Sequence, residues 1–305
     1  MFQYFLKRLG GAIPTLFIII TVSFFMIRLA PGGPFDTERA VPPDIEANLK
    51  RAYHLDESLP RQYVRYLSGV VHGDFGPSFK YKDFTVAELI AQGFPVSLAL
   101  GSMAMAAALA LGLFLGVWAA LRQNSAVDYS AMGISMLGLA VPNFVVAPLL
   151  TLVFGLMLGW LPVGGWGKGA NYVLPVIALC LPQIASISRL TRASMIEVLG
   201  SNFVRTARAK GLPARVTISR HAIRAAMLPV VSYLGPAIAQ IITGSVVIEQ
   251  IFSIPGIGRY FVQSSLNRDY TMVMGVTIFY GALVIICNLL ADLLYGVLDP
   301  KVRYD

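Results

Sequence analysis

Long uncharged runs separated by short polar ones set the pattern of this chain. Apolar runs cover roughly residues 9–27, 94–121, 129–158, 171–188, 225–248 and 270–298. Each is long enough, wound as a helix, to cross a hydrocarbon layer of about 30 Å. The pattern therefore predicts an all-α polytopic membrane protein with six spans. Gly112-x-x-x-Gly116 and Gly155-x-x-x-Gly159 fall inside these runs, as small residues do where helices approach closely. Pro142, Pro148, Pro175, Pro182 and Pro236 also fall inside them, where each removes a backbone hydrogen bond and can kink a helix.

Residues 31–93 are the one long polar interruption. Pro43 and Asp44 are first-turn residues for a helix through "PPDIEANLKRAYHL". Tyr63, Tyr66, Leu67 and Val70 make one stripe at helical spacing in "SLPRQYVRYLSGVV". Thr85 followed by Glu88 reads as a capping box that opens the helix leading into the second run. The intervening "HGDFGPSFKYKDF" reads as an ordered loop. The region is expected to be a small helical cap over the membrane domain or a docking surface for an external partner.

Composition agrees with this picture. Of the 305 residues, 56% are hydrophobic and only 13% charged, far too little charge to cover a soluble domain of this length. The first run follows Lys7 and Arg8 but is too long for a signal-peptide core, and "RLAPGG" offers no A-x-A site, so it reads as a retained anchor. An even number of spans puts both termini on one side. With the termini inside, the inner segments hold 13 Lys/Arg, eight of them between Arg189 and Arg224, and the two short outer loops hold three, Lys168, Arg259 and Arg268. Residues 31–93 carry seven cations against nine acids and are long enough to cross regardless of charge. The positive-inside bias thus predicts cytoplasmic termini. The net charge of +8 calls for no nucleic acid. Cys180 and Cys287 fall inside apolar runs, so neither a disulfide nor a metal site is expected.

Several chemistries find no support in the residues. Ionisable groups in or near the spans amount to Arg28, Glu249 and Asp292, each near an interface and able to snorkel or pair. A proton-coupled carrier would bury more carboxylates, and an ion channel would need a polar or charged filter. His54, His72 and His221 have no metal-ligand spacing. "GWGKGA" has Gly169 where a P-loop needs Ser or Thr, and Pro162 where its first glycine belongs. No catalytic site, no cofactor and no metal are expected, and energy would have to come from another protein.

One stretch stands apart: "FVRTARAKGL", residues 203–212. As a helix it places Arg205 and Arg208 on one side and Phe203 and Ala207 roughly opposite. Gly211 ends the helix and Pro213 blocks its continuation. The residues alone allow two uses, contact with anionic lipid headgroups or a short helix that plugs into a groove on a cytoplasmic partner.

Here the chain resembles a family. "RTARAKGL" with the later "MLPVV" is similar to the signature loop of ABC importer permeases, with Ala207, Gly211 and Leu228-Pro229 on the family positions. Arg205 stands where the general pattern has Glu, and the spacer to Pro229 is longer. Both departures resemble the peptide/nickel branch, as do "IFSIPGIGRYF", "NRDYTMV" and "DLLYGVLDPKVR". The N-terminal run and "HGDFGPSFKYKDF" resemble the B-type permease of oligopeptide importers, with dipeptide or nickel permeases as the alternative. The resemblance covers essentially the whole chain. It implies a type I importer permease fold, with an N-terminal helix and extracytoplasmic region over residues 1–93 and a permease domain over 94–305 whose coupling loop lies at about 189–226. It implies that Phe203, Arg205, Thr206, Ala207, Arg208, Gly211, Leu228 and Pro229 couple the chain to an ATPase. The implied partners are a second, C-type permease, two cytoplasmic ATP-binding subunits and an extracytoplasmic peptide-binding protein. The implied site of action is a bacterial inner membrane.

Overall fold

The computed structural model describes residues 2–29, 44, 48, 51, 53–81 and 83–298, with side chains from residue 10 of the first helix to residue 294 of the last. Most of the helix expected from Pro43 onward, "DPKVR" and the charges beyond residue 298 lie outside these residues.

The expected runs become helices. Those long and apolar enough to span a membrane are α1 (Phe2–Leu29), α3 (Val86–Leu121), α6 (Val173–Leu199), α10 (Leu228–Ile251) and α12 (Tyr270–Leu298). Between α1 and α3 lies α2 (Leu59–Val71), whose aromatic stripe turns toward α1. Tyr63 shares a 2.7 Å hydrogen bond with Thr21, and its ring lies 5.3 Å from that of Phe24. The capping box forms as expected: Thr85 accepts from the Glu88 N–H, and the Glu88 carboxylate accepts from the Thr85 N–H. The helix it opens runs unbroken through residues 93 and 94.

The third run departs from its expectation of one continuous span. It folds as α4 (Ala126–Ala140) and α5 (Asn143–Leu150), the latter continuing as a π-helical turn over Thr151–Met157, and the two arms bend by 100°. Pro142 is the cause. It pushes Val141 out of the helical region, to φ −104° and ψ 119°, and cannot itself donate to the preceding turn.

The centre of the molecule is the α3–α6 pair, with α10 packed on both, α4 and α5 against α6, and α12 between α10 and α1. The core is built from Leu100, Ala104 and Ala108 of α3, Leu174, Ala178 and Ile187 of α6, and Ile241 and Ile248 of α10. Gly112 and Gly116 let the central pair approach. A methyl at Gly112 would sit 2.8 Å from Ile187 Cγ2, and one at Gly116 would sit 2.6 Å from the Ser188 carbonyl. Gly155 and Gly159 do something else: they shape a turn, with Gly155 against Val163 and Gly159 at φ +61°.

Three of the sequence stretches that carried the resemblance meet at one end of the bundle. Asp269 caps α12 by accepting from the Met272 N–H, and it also accepts from Ser78 Oγ at 2.5 Å, which ties "HGDFGPSFKYKDF" to "NRDYTMV". Glu249 of α10 is wholly buried, yet satisfied. It accepts from Ser245 Oγ at 2.6 Å and from the Gly258 N–H at 2.8 Å, at the N-terminus of α11 (Ile257–Leu266). A buried carboxylate is tolerated there because the helix dipole and a free backbone N–H meet it. Rather than snorkelling, Glu249 holds "IFSIPGIGRYF" as a corner between α10 and α11. The opposite end of α3, with Ala120, abuts the basic segment. The 36 residues of α3 separate the two ends by about 50 Å at the helical rise, more than a bilayer's hydrocarbon thickness.

Candidate coupling site

The basic segment is a chain of short helices. α6 continues to Leu199, so Arg189 and Arg192 are helical rather than loop residues. The chain then turns into α7 (Asn202–Ala209), passes Pro213 into α8 (Ala214–Val216), makes a π-helical turn over Thr217–Ala222, and re-enters the bundle through α9 (Ile223–Ala226).

The end of α7 is encoded locally. Gly211 takes φ +79°, its N–H donates to the Arg208 carbonyl, and the Leu212 N–H donates to the Ala207 carbonyl. This is the Schellman arrangement, with the left-handed residue at the position glycine favours. A side chain at Gly211 would meet no other atom of this chain, so its backbone conformation is what requires glycine.

Packing then divides the faces of α7. Val204 is fully buried and Ala207 is 7% exposed. Val204 joins Ala120 of α3, Met195 of α6, Ala222 and Ala226 in a small apolar cluster that seats α7 on its own chain. Phe203 is 48% exposed, and Arg205, Thr206, Arg208 and Ala209 are exposed as well. Phe203 and Ala207, expected on a common face, are thus separated: Phe203 is free for a partner and Ala207 is not. At 100° per residue the outward face is centred on Arg205, Thr206 and Ala209, with Phe203 on one edge and Arg208 on the other. Leu228, half-buried, and Pro229, exposed, stand apart in the first turn of α10, where a proline costs no helical hydrogen bond.

Behind α7, Asp128 of α4 is 1% exposed and takes both Arg192 Nε and Nη2 at 2.6 Å. This bidentate pair clamps α4 to the lower part of α6. In the sequence Arg192 is one of eight cations between Arg189 and Arg224; only folding shows its partner, 64 residues away. Val204 and Ala209 were also missed. The Val204–Ala207 spacing of three residues was the available signal for the inward face, masked by the attention that the cations draw. Among the described residues no group of three metal-ligating side chains comes together.

The comparisons with known proteins bear on the whole chain. Residues 112–304 match the family described as binding-protein-dependent transport system inner membrane component, and residues 1–101 match its N-terminal companion. The oligopeptide transport system permease protein OppB of Salmonella typhimurium is 57% identical, covering all of both chains. The dipeptide transport system permease protein DppB of Bacillus subtilis is 45% identical over 99% of this chain and 98% of its own. Among solved structures, an amino acid ABC transporter superposes with a TM-score of 0.51 at 18% identity over 70% of this chain and 94% of its own. The MetNI methionine ABC transporter does so with a TM-score of 0.52 at 14% identity over 69% and 96%. These two likenesses establish the fold, that of ABC importer permeases. The chain belongs to the family of binding-protein-dependent transport system inner membrane components.

Proposed function

We propose that this chain is the B-type permease of an ATP-driven importer that carries oligopeptides across a bacterial inner membrane. It forms half of the pathway with a C-type permease, receives peptide from an extracytoplasmic binding protein, and is driven by two cytoplasmic ATP-binding subunits. The observation that carries the substrate class is the 57% identity, over both full lengths, to an oligopeptide permease, against 45% for a dipeptide permease. In this reading α7 is the coupling helix, seated on its own chain through Val204 and offering Arg205, Thr206 and Ala209 to an ATPase, with Phe203 and Arg208 at the margins. Gly211 sets the end of that helix, and Leu228-Pro229 starts the span that returns to the bundle. The chain itself hydrolyses no ATP, since its one Gly-Lys pair lacks the residues that hold phosphate.

Transport by the assembled complex in vesicles tests the substrate. Labelled alanine peptides of two to six residues are expected to enter on ATP addition, with four- and five-residue peptides faster than the dipeptide. Entry of the dipeptide alone, or of nickel, would make the chain a dipeptide or nickel permease of the same family instead.

The proposal places both termini in the cytoplasm and the end of the bundle carrying α2 outside. Ser68, exposed on α2, is the place to test this. A cysteine there is expected to react with a membrane-impermeant thiol reagent added to intact cells. Reaction only after the inner face is opened would invert the topology. Ser78 would be a poor choice, being 2% exposed and bonded to Asp269.

A further inference from the structure

The outward faces of the spanning helices differ in kind. α1 exposes Ile13, Phe17, Ile18, Val22 and Met26, and α12 exposes Ile286, Leu290 and Leu294, bulky apolar surfaces suited to lipid. α10 is different. Between its first and last turns the exposed residues recur at helical spacing as Ser232, Pro236, Gln240, Gly244 and Val247, and Val247 is the one large hydrophobic among them. Gln240 lies near the middle of this 24-residue helix, and the middle of a helix that spans a bilayer lies near the centre of its hydrocarbon. Hydrocarbon offers a carboxamide no hydrogen-bond partner, so this face is not built for lipid.

A relay stands behind Gln240. Tyr233 Oη donates to Gln183 Oε1 at 2.7 Å, and Gln183 Nε2 donates to Gln240 Oε1 at 3.1 Å. Gln183 belongs to α6 and is 3% exposed, so it is a fixed intermediary. The chain of donors runs one way, and its last link leaves Gln240 Nε2 pointing a donor away from the relay. The same three groups also work in reverse, because a phenol donates or accepts and a carboxamide turned over exchanges its two ends. Reversed, the relay presents Gln240 Oε1 as an acceptor.

We infer that the exposed face of α10 lines the route the substrate takes, and that Gln240, positioned by Gln183 and Tyr233, hydrogen-bonds the peptide main chain there. This rests on the oligopeptide reading above. A main chain alternates N–H donors and C=O acceptors, so a group that can present either meets any peptide irrespective of its side chains. Bond-by-bond polarisation along the relay strengthens the end that faces the peptide. Small neighbours at Ser232, Pro236 and Gly244 leave room for the chain to pass.

The test uses the assembled transporter in vesicles, with Cys180 and Cys287 replaced by alanine and penta-alanine as the probe. Single cysteines at Gln240 and Gly244 are expected to react with a water-soluble thiol reagent and to be protected by transported peptide. A cysteine at Phe17 is expected to stay unreactive. Gln240→Leu is expected to lower the maximal uptake rate about tenfold, the scale of one lost hydrogen bond whose partner is left unpaired. Assembly and the half-saturating concentration of loaded binding protein should be unchanged. Gln240→Asn, which keeps the carboxamide, should recover part of the loss, and Tyr233→Phe should lower the rate to a smaller extent. Unreactive cysteines at 240 and 244 in a transporter that moves penta-alanine would show this face buried against another subunit and overturn the inference alone. Equal rates for wild type and Gln240→Leu, with both cysteines reactive, would overturn the role of Gln240. Failure of the wild-type complex to move penta-alanine would overturn the oligopeptide reading and this inference with it.

Discussion

Glutamate at Ala209 is expected to abolish peptide uptake while the chain still folds, inserts and joins its partner permease. Ala209 lies at the centre of the outward face of α7 and is exposed, so the substitution removes no contact of this chain. If α7 sits in a groove of an ATP-binding subunit, the added volume costs about 1–3 kcal/mol, and a carboxylate there loses its water as well. The ATP-binding subunits should then dissociate, or hydrolyse ATP without transport. If α7 only touches headgroups, one charge is worth about 1 kcal/mol and uptake should fall modestly. Arg205→Ala separates the two further. It removes an exposed cation, which in a groove mainly tunes association, and is expected to be the milder change. Uptake and co-purification of the ATP-binding subunits, measured for both variants, decide the matter. A crippling Arg205→Ala beside a silent Ala209→Glu would assign α7 to lipid. Ala207→Glu cannot serve here, since Ala207 is 7% exposed within its own chain and its loss would unseat α7 whatever α7 touches. Gly211→Leu also damages the helix end first, through its φ of +79°. Gly211→Asn, which tolerates that conformation, should restore most of the function lost in Gly211→Leu.

Alanine at Gly256 is expected to destabilise the fold by about 3–5 kcal/mol, the scale of a disrupted buried charge site. The new methyl would overlap Glu249 Oε2 and lie 2.5 Å from Ser97 Oγ. Neither neighbour can yield easily. Glu249 is held by Ser245 and the Gly258 N–H, and Ser97 Oγ accepts from the Ile257 N–H at 3.0 Å. Moving the carboxylate would strip a buried charge of its donors. The melting temperature and yield of the detergent-solubilised complex are the measurements, and a Gly256→Ala complex as stable as wild type would show that this corner yields freely. Glu249→Gln keeps the shape and one acceptor and should be less damaging than Glu249→Ala, which leaves the Gly258 N–H unpaired while Ser245 Oγ keeps the Ile242 carbonyl at 2.8 Å.

Much of this molecule is written in its local sequence. Apolar runs long enough for a bilayer determined the class and the positions of α1, α3, α6, α10 and α12, because backbone groups in lipid must pair within their own helix. Thr85 and Glu88 marked the start of α3, and Gly211 with Pro213 marked the end of α7, because caps are satisfied within a few residues. The family was legible for the same reason: its marks are contiguous stretches. What the sequence did not determine depends on which residues face one another across the bundle. The 100° bend at Pro142 needed more than the presence of a proline, since Pro182 and Pro236 stay inside helices. Burial of Ala207, exposure of Ala209, the Asp128–Arg192 clamp, the seat of Glu249 at the start of α11 and the Tyr233–Gln183–Gln240 relay all join positions distant in the chain or set a helix's rotation about its own axis. On a helix whose other residues are nearly all apolar, composition leaves that rotation open. Packing against α3, α6 and α12 fixes it, and with it which side of each span meets lipid, protein or peptide.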